Sequence, residues 1–355
     1  MRAKIADYFI EGLTRPLDVI RQHLLSVLGP IARPFIRSRR LRVTTAAVIG
    51  FGLAAVFSLW IPLWQLALGP IIWGIPHILG DLRYLIVRQR LARSWGFWLL
   101  IVVPLAYFTY KPRVTTTMIA LAGAGLLGFI HHIQNRDTSN KPSLIRFASV
   151  ILIASAGYII AKAYPYHAHF TLLHAHNLIT LGLWWSWRKR EHYWELFPIL
   201  MLIILSAMIL FAWDADSWRA SHNHVVHGPT HLSMAYFERA LASVLPEGWR
   251  PQWVALYGFL QSAHYLVWIR LIPEDDREAE TPIPFKRSAL RLLEDFGGWL
   301  ILLSLLAMIA LVIYAISSVS AARLTYLRWI SAHASLEVAI IGYFAIYRPS
   351  TSKSS

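Results

Sequence analysis

Residues 298–320 read GWLILLSLLAMIALVIYAISSVS, a stretch without a single charged side chain. About 20 apolar residues in a helix cross a bilayer core of roughly 30 Å. Working outward, comparable apolar runs recur at 44–63, 66–88, 95–110, 114–133, 145–164, 168–188, 195–213, 251–272 and 326–347, which predicts about ten spans. All are expected to be helices, because an open sheet leaves backbone groups unsatisfied in lipid. The predicted fold class is all-α, a polytopic transmembrane helical bundle occupying residues 43–347, with a short polar tail at 348–355.

Composition agrees. Of the 355 residues, 56% are hydrophobic and 15% charged, with mean hydropathy +0.48. A soluble domain carries about 25% charged residues, so a soluble enzyme, a basic nucleic-acid module and a disordered tail protein are all excluded. The net charge of +15 resolves into position. Residues 1–42 form a basic, amphipathic arm carrying Arg2, Lys4, Arg15, Arg21, Arg33, Arg37, Arg39, Arg40 and Arg42, expected to lie on anionic lipid. The arm lacks the continuous apolar core and cleavage site of a secretory leader. Basic turns at 88–94, 134–146, 188–190 and 270–291 alternate with poorer ones near 62–66, 111–113, 164–167 and 321–323. Positive charge collects on the cytoplasmic side, so both termini are expected inside and 214–250 outside. The acidic patch Glu274 to Glu280 reads as a solvated connector.

The chain has no Cys but 15 His, so a metal here would need nitrogen and oxygen ligands. On this topology every histidine-bearing span runs from outside to inside: His77, then His131 and His132, then His174 and His176, then His264, then His333. The outer segment adds His222, His224, His227 and His231. In GIPHILGD, Gly74–Asp81, His77 and Asp81 stand four apart on one helical face, the spacing of a ligand and its orienting carboxylate or of a structural pair. In HNHVVHGPTHLSM, Gly228 and Pro229 read as a helix start, with His227 and His231 near enough to share a metal. In HAHFTLLHAHN, His167 and His169 are expected at the interface, and at most one of His174 and His176 can face a given site. Trp184, Trp185, Trp187 and Trp194 fit an interfacial belt, whereas Trp73 and Trp268 are placed to line an apolar tunnel.

Neutral imidazoles in a greasy site suit iron, copper or zinc. No HExxH, GxSxG, dinucleotide or ATP fingerprint is present. Oxygen chemistry on a lipid-soluble substrate entering from the bilayer remains.

Four segments in order resemble the Brp/Blh family, bacterial membrane β-carotene 15,15′-dioxygenases that supply retinal to rhodopsins. GIPHILGD matches the family's G-[LI]-P-H-x-x-x-D. FIHHIQNRD supplies His132 and Asp137, VVHGPTHLSM supplies His227 and His231, and SAHYLVWIRLIP supplies His264, with Ala263 where the family prefers Pro. The resemblance covers about residues 45–273. The SHNH and HAHN segments and residues 298–347 with His333 depart from it. It implies an integral protein of the bacterial inner membrane. Fe(II) held by His77, His132, His227, His231 and His264, with Asp81 orienting a ligand, would add both atoms of O2 across a carotenoid double bond. Three alternatives stand beside it. A di-metal lipid hydroxylase or desaturase would recruit His174 or His176, His222, His224 and His333. A b-type haem protein would use His from two facing spans. A metal transporter would use the outer histidines.

Overall fold

The computed structural model describes residues 2–111, 113–134, 144–214, 218, 232–277 and 279–347. These are all-helical, without a β-strand. The arm forms α1 (Arg2–Leu28) and α2 (Ala32–Arg37). The bundle follows: α3 (Arg39–Trp60), α4 (Pro62–Leu82), α5 (Trp95–Tyr110), α6 (Val114–Gln134), α7 (Leu144–Ala163), α8 (Pro165–Trp187), α9 (Phe197–Phe211), α10 (Met234–Ala242), α11 (Arg250–Leu266), α12 (Phe285–Ser317), α13 (Val319–Trp329) and α14 (His333–Ile346). Among the described residues, seven helices are long and apolar enough to cross a membrane. They begin at Arg39, Pro62, Val114, Leu144, Tyr193, Phe285 and Val319, the last running through α13 and α14.

The arm is docked. Arg21 donates to the Ile283 carbonyl at 2.7 Å, Asp18 accepts from the Phe285 N–H at 3.0 Å, and Lys286 pairs with Glu11 at 3.0 Å. Its outward residues Leu17, Ile20, Leu24 and Val27 stay exposed.

Helix α11 is the centre of the bundle. Val254, Ala255, Leu256, Tyr257, Phe259 and Leu260 are buried in succession, as expected of a helix covered on all sides. Contacts along its length fix the directions of its neighbours. Gly50 and Arg42 of α3 meet Leu266 and Glu274 respectively, while Ser58 donates to the Ala255 carbonyl, so α3 runs antiparallel to it. On α4, Gln65 bonds Ser262 and Gly80 lies against Trp268, so α4 runs parallel. On α8, His174 faces Trp253 and Trp184 bonds Asp275, again parallel. Helix α14 follows α8, with His333 by His176 and Glu337 by Thr180. Helix α6 follows α14: Thr117 bonds Ser335, Gly128 meets Tyr343, and His131 meets Tyr347. The helices that carry the membrane histidines therefore all point one way.

The uncharged stretch 298–320 lies at the edge of the bundle. In α12 only Leu311 is buried, while Trp299, Leu303, Ile313 and Ile316 are exposed, as a lipid-covered face would be. Gly297, with φ of 76°, joins its two helical halves, a left-handed conformation natural to glycine.

One expectation is overturned. Glu274 and Asp275 are no solvated connector; both are buried. Glu274 pairs with Arg42, Arg270 and Arg277 at 2.8, 2.7 and 2.6 Å. Asp275 pairs with Arg188 and Arg190 at 2.6 and 3.0 Å and accepts from Trp184 at 2.9 Å. The arginines of the basic turns are within reach only once the helices pack, and buried carboxylates persist where such partners exist.

Candidate metal centre

Helix α4 carries His77 past two internal prolines, Pro70 and Pro76. The two glycines of GIPHILGD are explained by close approach. A Cβ on Gly80 would stand 2.7 Å from the Trp268 carbonyl, and one on Gly74 would run into the Tyr326 ring of α13. Just beyond the site, α4 and α11 each widen into a π-helical turn, Arg83–Val87 and Val267–Leu271, a feature that often marks functional sites. Helices α13 and α14 are interrupted at 330–332, which places His333 at the start of α14.

Four imidazoles from four helices converge there. The ring centroid of His77 lies 5.2 Å from that of His264 and 5.3 Å from that of His333. The His176 ring lies 5.2 and 5.4 Å from the same two, closing a four-sided arrangement. Candidate ligand atoms of His77, His264 and His333 all lie within 4.8 Å of one another. His77 and His264 are fully buried, as is His176 to within a few per cent. Tyr265 packs on His77 at 4.6 Å.

Three of the rings are fixed by their own helices. Nδ1 faces the Trp73 carbonyl in His77 at 3.3 Å, the Leu172 carbonyl in His176 at 3.3 Å and the Ile330 carbonyl in His333 at 3.0 Å. A carbonyl can only accept, so Nδ1 carries the proton and Nε2 keeps its lone pair. Nε2 of His77 and both ring nitrogens of His264 are buried without a hydrogen-bond partner. Buried polar atoms are ordinarily satisfied; unpartnered ring nitrogens on histidines whose candidate ligand atoms lie this close together are what a metal-binding cradle presents.

A second tier lies one turn farther along each helix. Four residues after His77, His176, His264 and His333 come Asp81, Thr180, Trp268 and Glu337. Because the four helices run parallel, Thr180, Trp268 and Glu337 also meet. Glu337, with no exposed surface, accepts from Thr180 Oγ1 at 2.7 Å and from Trp268 Nε1 at 2.9 Å. Its Oε1 lies 3.6 Å from His264 Nε2. Asp81 is equally buried, with both oxygens unpartnered.

Set against models of known protein families, curated proteins and solved structures, the chain matches none. The site therefore rests on its own geometry. Of the five ligands that the resemblance implies, the structure brings His77 and His264 together. His227 and His231 lie outside the described residues, as do His222 and His224. His132 belongs elsewhere. It is buried on the last turn of α6, fifteen residues past Thr117, which bonds Ser335 beside His333. Since α6 and α14 run parallel, that is roughly 22 Å below the site at about 1.5 Å per residue. Its neighbour His131 bonds Tyr343 at 2.9 Å. His174 also turns away, packing on Phe170, Trp253 and Tyr257, as its two-residue offset from His176 requires. Trp268 does not line a tunnel; it is fully buried and bonds Glu337, while Trp73 is half-exposed on the outer face of α4.

In the sequence alone, His176, as one choice with His174, and His333 enter only the di-metal alternative, and Thr180 and Glu337 have no role. A signal existed: a histidine followed four residues later by a polar or indole side chain recurs on four spans. Only GIPHILGD reads as such a pair from its own segment, because His77 and Asp81 are a ligand type and a carboxylate.

Proposed function

We propose that this chain is an integral-membrane, non-haem iron oxygenase acting on a lipid-soluble polyene, with His77, His176, His264 and His333 as the metal ligands. The observation that carries this reading is the convergence of four imidazoles inside an apolar bundle, two of which, His77 and His264, keep buried ring nitrogens without a partner. The donor set fits: neutral imidazoles suit iron, copper or zinc. When bound, iron would supply the O2 chemistry that adds two oxygen atoms across a conjugated double bond. The chain's own residues hold ring tautomers through the carbonyls of Trp73, Leu172 and Ile330. They also exclude water by burial. Ile72 and Trp73, one turn before His77, are half-exposed on the outside of α4, which suits substrate arriving from the bilayer.

Ten spans and cytoplasmic termini belong to the same proposal. Helix α8 and α11 with its π-helical extension are each long enough, roughly 33 Å at about 1.5 Å per residue, though their histidines lower their hydropathy. With the shorter α5 they bring the seven to ten. The exposed apolar side of α1, beside its arginines, suits an anionic lipid surface. A second reading, metal transport, is favoured by the interrupted α13–α14 pair, since broken helices often hold ions in transporters.

Metal analysis of purified protein tests the site. The wild type is expected to hold about one iron per chain through chelator washing, with His77→Ala and His333→Ala holding none and His132→Ala unchanged. Stoichiometric iron in His77→Ala and His333→Ala would sink the site; metal that washes out freely favours transport. Oxygen-dependent loss of colour in a carotene-accumulating host expressing the chain tests the polyene. Unchanged colour would remove that substrate and leave the metal.

A further inference from the structure

His264 differs from its three neighbours. Their Nδ1 atoms each face a backbone carbonyl one turn back, whereas neither nitrogen of His264 has such a partner. Glu337 Oε1 stands 3.6 Å from its Nε2, a few tenths of an ångström beyond a hydrogen bond. Glu337 is itself held on both oxygens, Oε2 by Thr180 and Oε1 by Trp268. Trp268 follows His264 by one turn on the same helix, so one element presents both the ring and the donor that steadies its acceptor.

We infer that Glu337 is a positioning residue that holds His264 in the tautomer opposite to its neighbours, with Nε2–H turned to the carboxylate and Nδ1 offered to the metal. A carboxylate acceptor behind a ligating imidazole fixes its tautomer and orientation and raises its basicity. It also places negative charge beside a dication that would otherwise sit among neutral rings. Glu337 lies four residues after His333, so α14 supplies a ligand and the positioning group for another ligand together. The role in metal binding rests on the reading above; the tautomer is a property of the metal-free protein.

The test uses full-length protein labelled with 15N-histidine, metal-free in detergent, with ring-nitrogen chemical shifts separating the two tautomers. Signals lost in His264→Gln identify that ring. It is expected to report Nε2–H in the wild type, and to shift toward mixed tautomers in Glu337→Gln. Thr180→Val, which loosens Glu337 without removing it, is expected to shift it less and serves if Glu337→Gln fails to fold. His264 reporting Nδ1–H, or a ring unmoved in both variants, overturns the assignment. Co(II) titration followed by visible absorption adds the metal readout: Glu337→Gln is expected to weaken binding by about 10- to 100-fold. A wild type that takes up no Co(II) counts against the metal reading alone, because the ring shifts are measured without metal.

Discussion

Two buried polar clusters lie one above the other in this bundle, and they are built on opposite principles. Just past α11 and its π-helical turn, Glu274 and Asp275 are ringed by Arg42, Arg270, Arg277, Arg188 and Arg190. Trp184 and Trp187 add N–H donors, the latter to Asp276. Every carboxylate there has more than one partner. About three turns earlier, His77, His264 and Asp81 keep buried nitrogens and oxygens with none. A saturated cluster holds helices together; an unsaturated one stores binding capacity at a cost in stability. The contrast between Asp275 and Asp81, two buried aspartates on neighbouring helices, is its sharpest form.

Substituting each is the most forceful way to break the comparison. Asp275→Ala leaves the Trp184 N–H without its acceptor and takes from Arg188 and Arg190 one of the two carboxylates they share, leaving Glu195, and is expected to cost about 3–5 kcal/mol, read as a large fall in the thermal unfolding midpoint. Asp81→Ala strands nothing and is expected to cost less than about 1 kcal/mol, or to stabilise. Equal losses would erase the distinction. Close packing comes next. Gly80→Ala forces a methyl against the Trp268 carbonyl and is expected to cost about 1–3 kcal/mol, and to loosen any metal held at the proposed site because α4 and α11 each carry a proposed ligand. Gly182→Ala, with open space around it, is the control and should leave both unchanged.

The smallest effect is that of pH on the saturated cluster. Burial pushes the Glu274 carboxyl up, but Arg270, Arg277 and Arg42 outweigh it and hold it below the ordinary value of 4.5. A carboxylate lowered in the folded state contributes stability that is complete above its unfolded pKa and is lost as pH falls through the folded one. The unfolding midpoint is therefore expected to fall as pH drops below 4.5, and Glu274→Gln to flatten that decline. An identical slope in the variant would show that Glu274 carries none of it.

The membrane bundle was legible in runs such as 298–320, and the common direction of the histidine helices was legible in alternating basic turns. His77 and His264 were legible as candidates because each sits in a short motif. His176 was hidden by its neighbour His174, since a sequence does not say which of two residues two apart faces inward. His333 was hidden by distance, lying beyond the part of the chain that the family resemblance covers. His132 misled because being a histidine on a parallel helix says nothing of depth, and depth along α6 separates it from the site.

By itself, the sequence determined what each segment must satisfy: apolar runs require lipid, glycines permit close approach, and histidine with a polar residue four positions on puts two groups on one helical face. Those are local consequences of side-chain chemistry and helical period. Which four histidines share a centre, that Glu337 stands behind one of them, and that Glu274 and Asp275 are buried were decided only when the helices packed. Register between helices distant in sequence depends on the approach of surfaces such as Gly80 to Trp268, and no single segment contains that information.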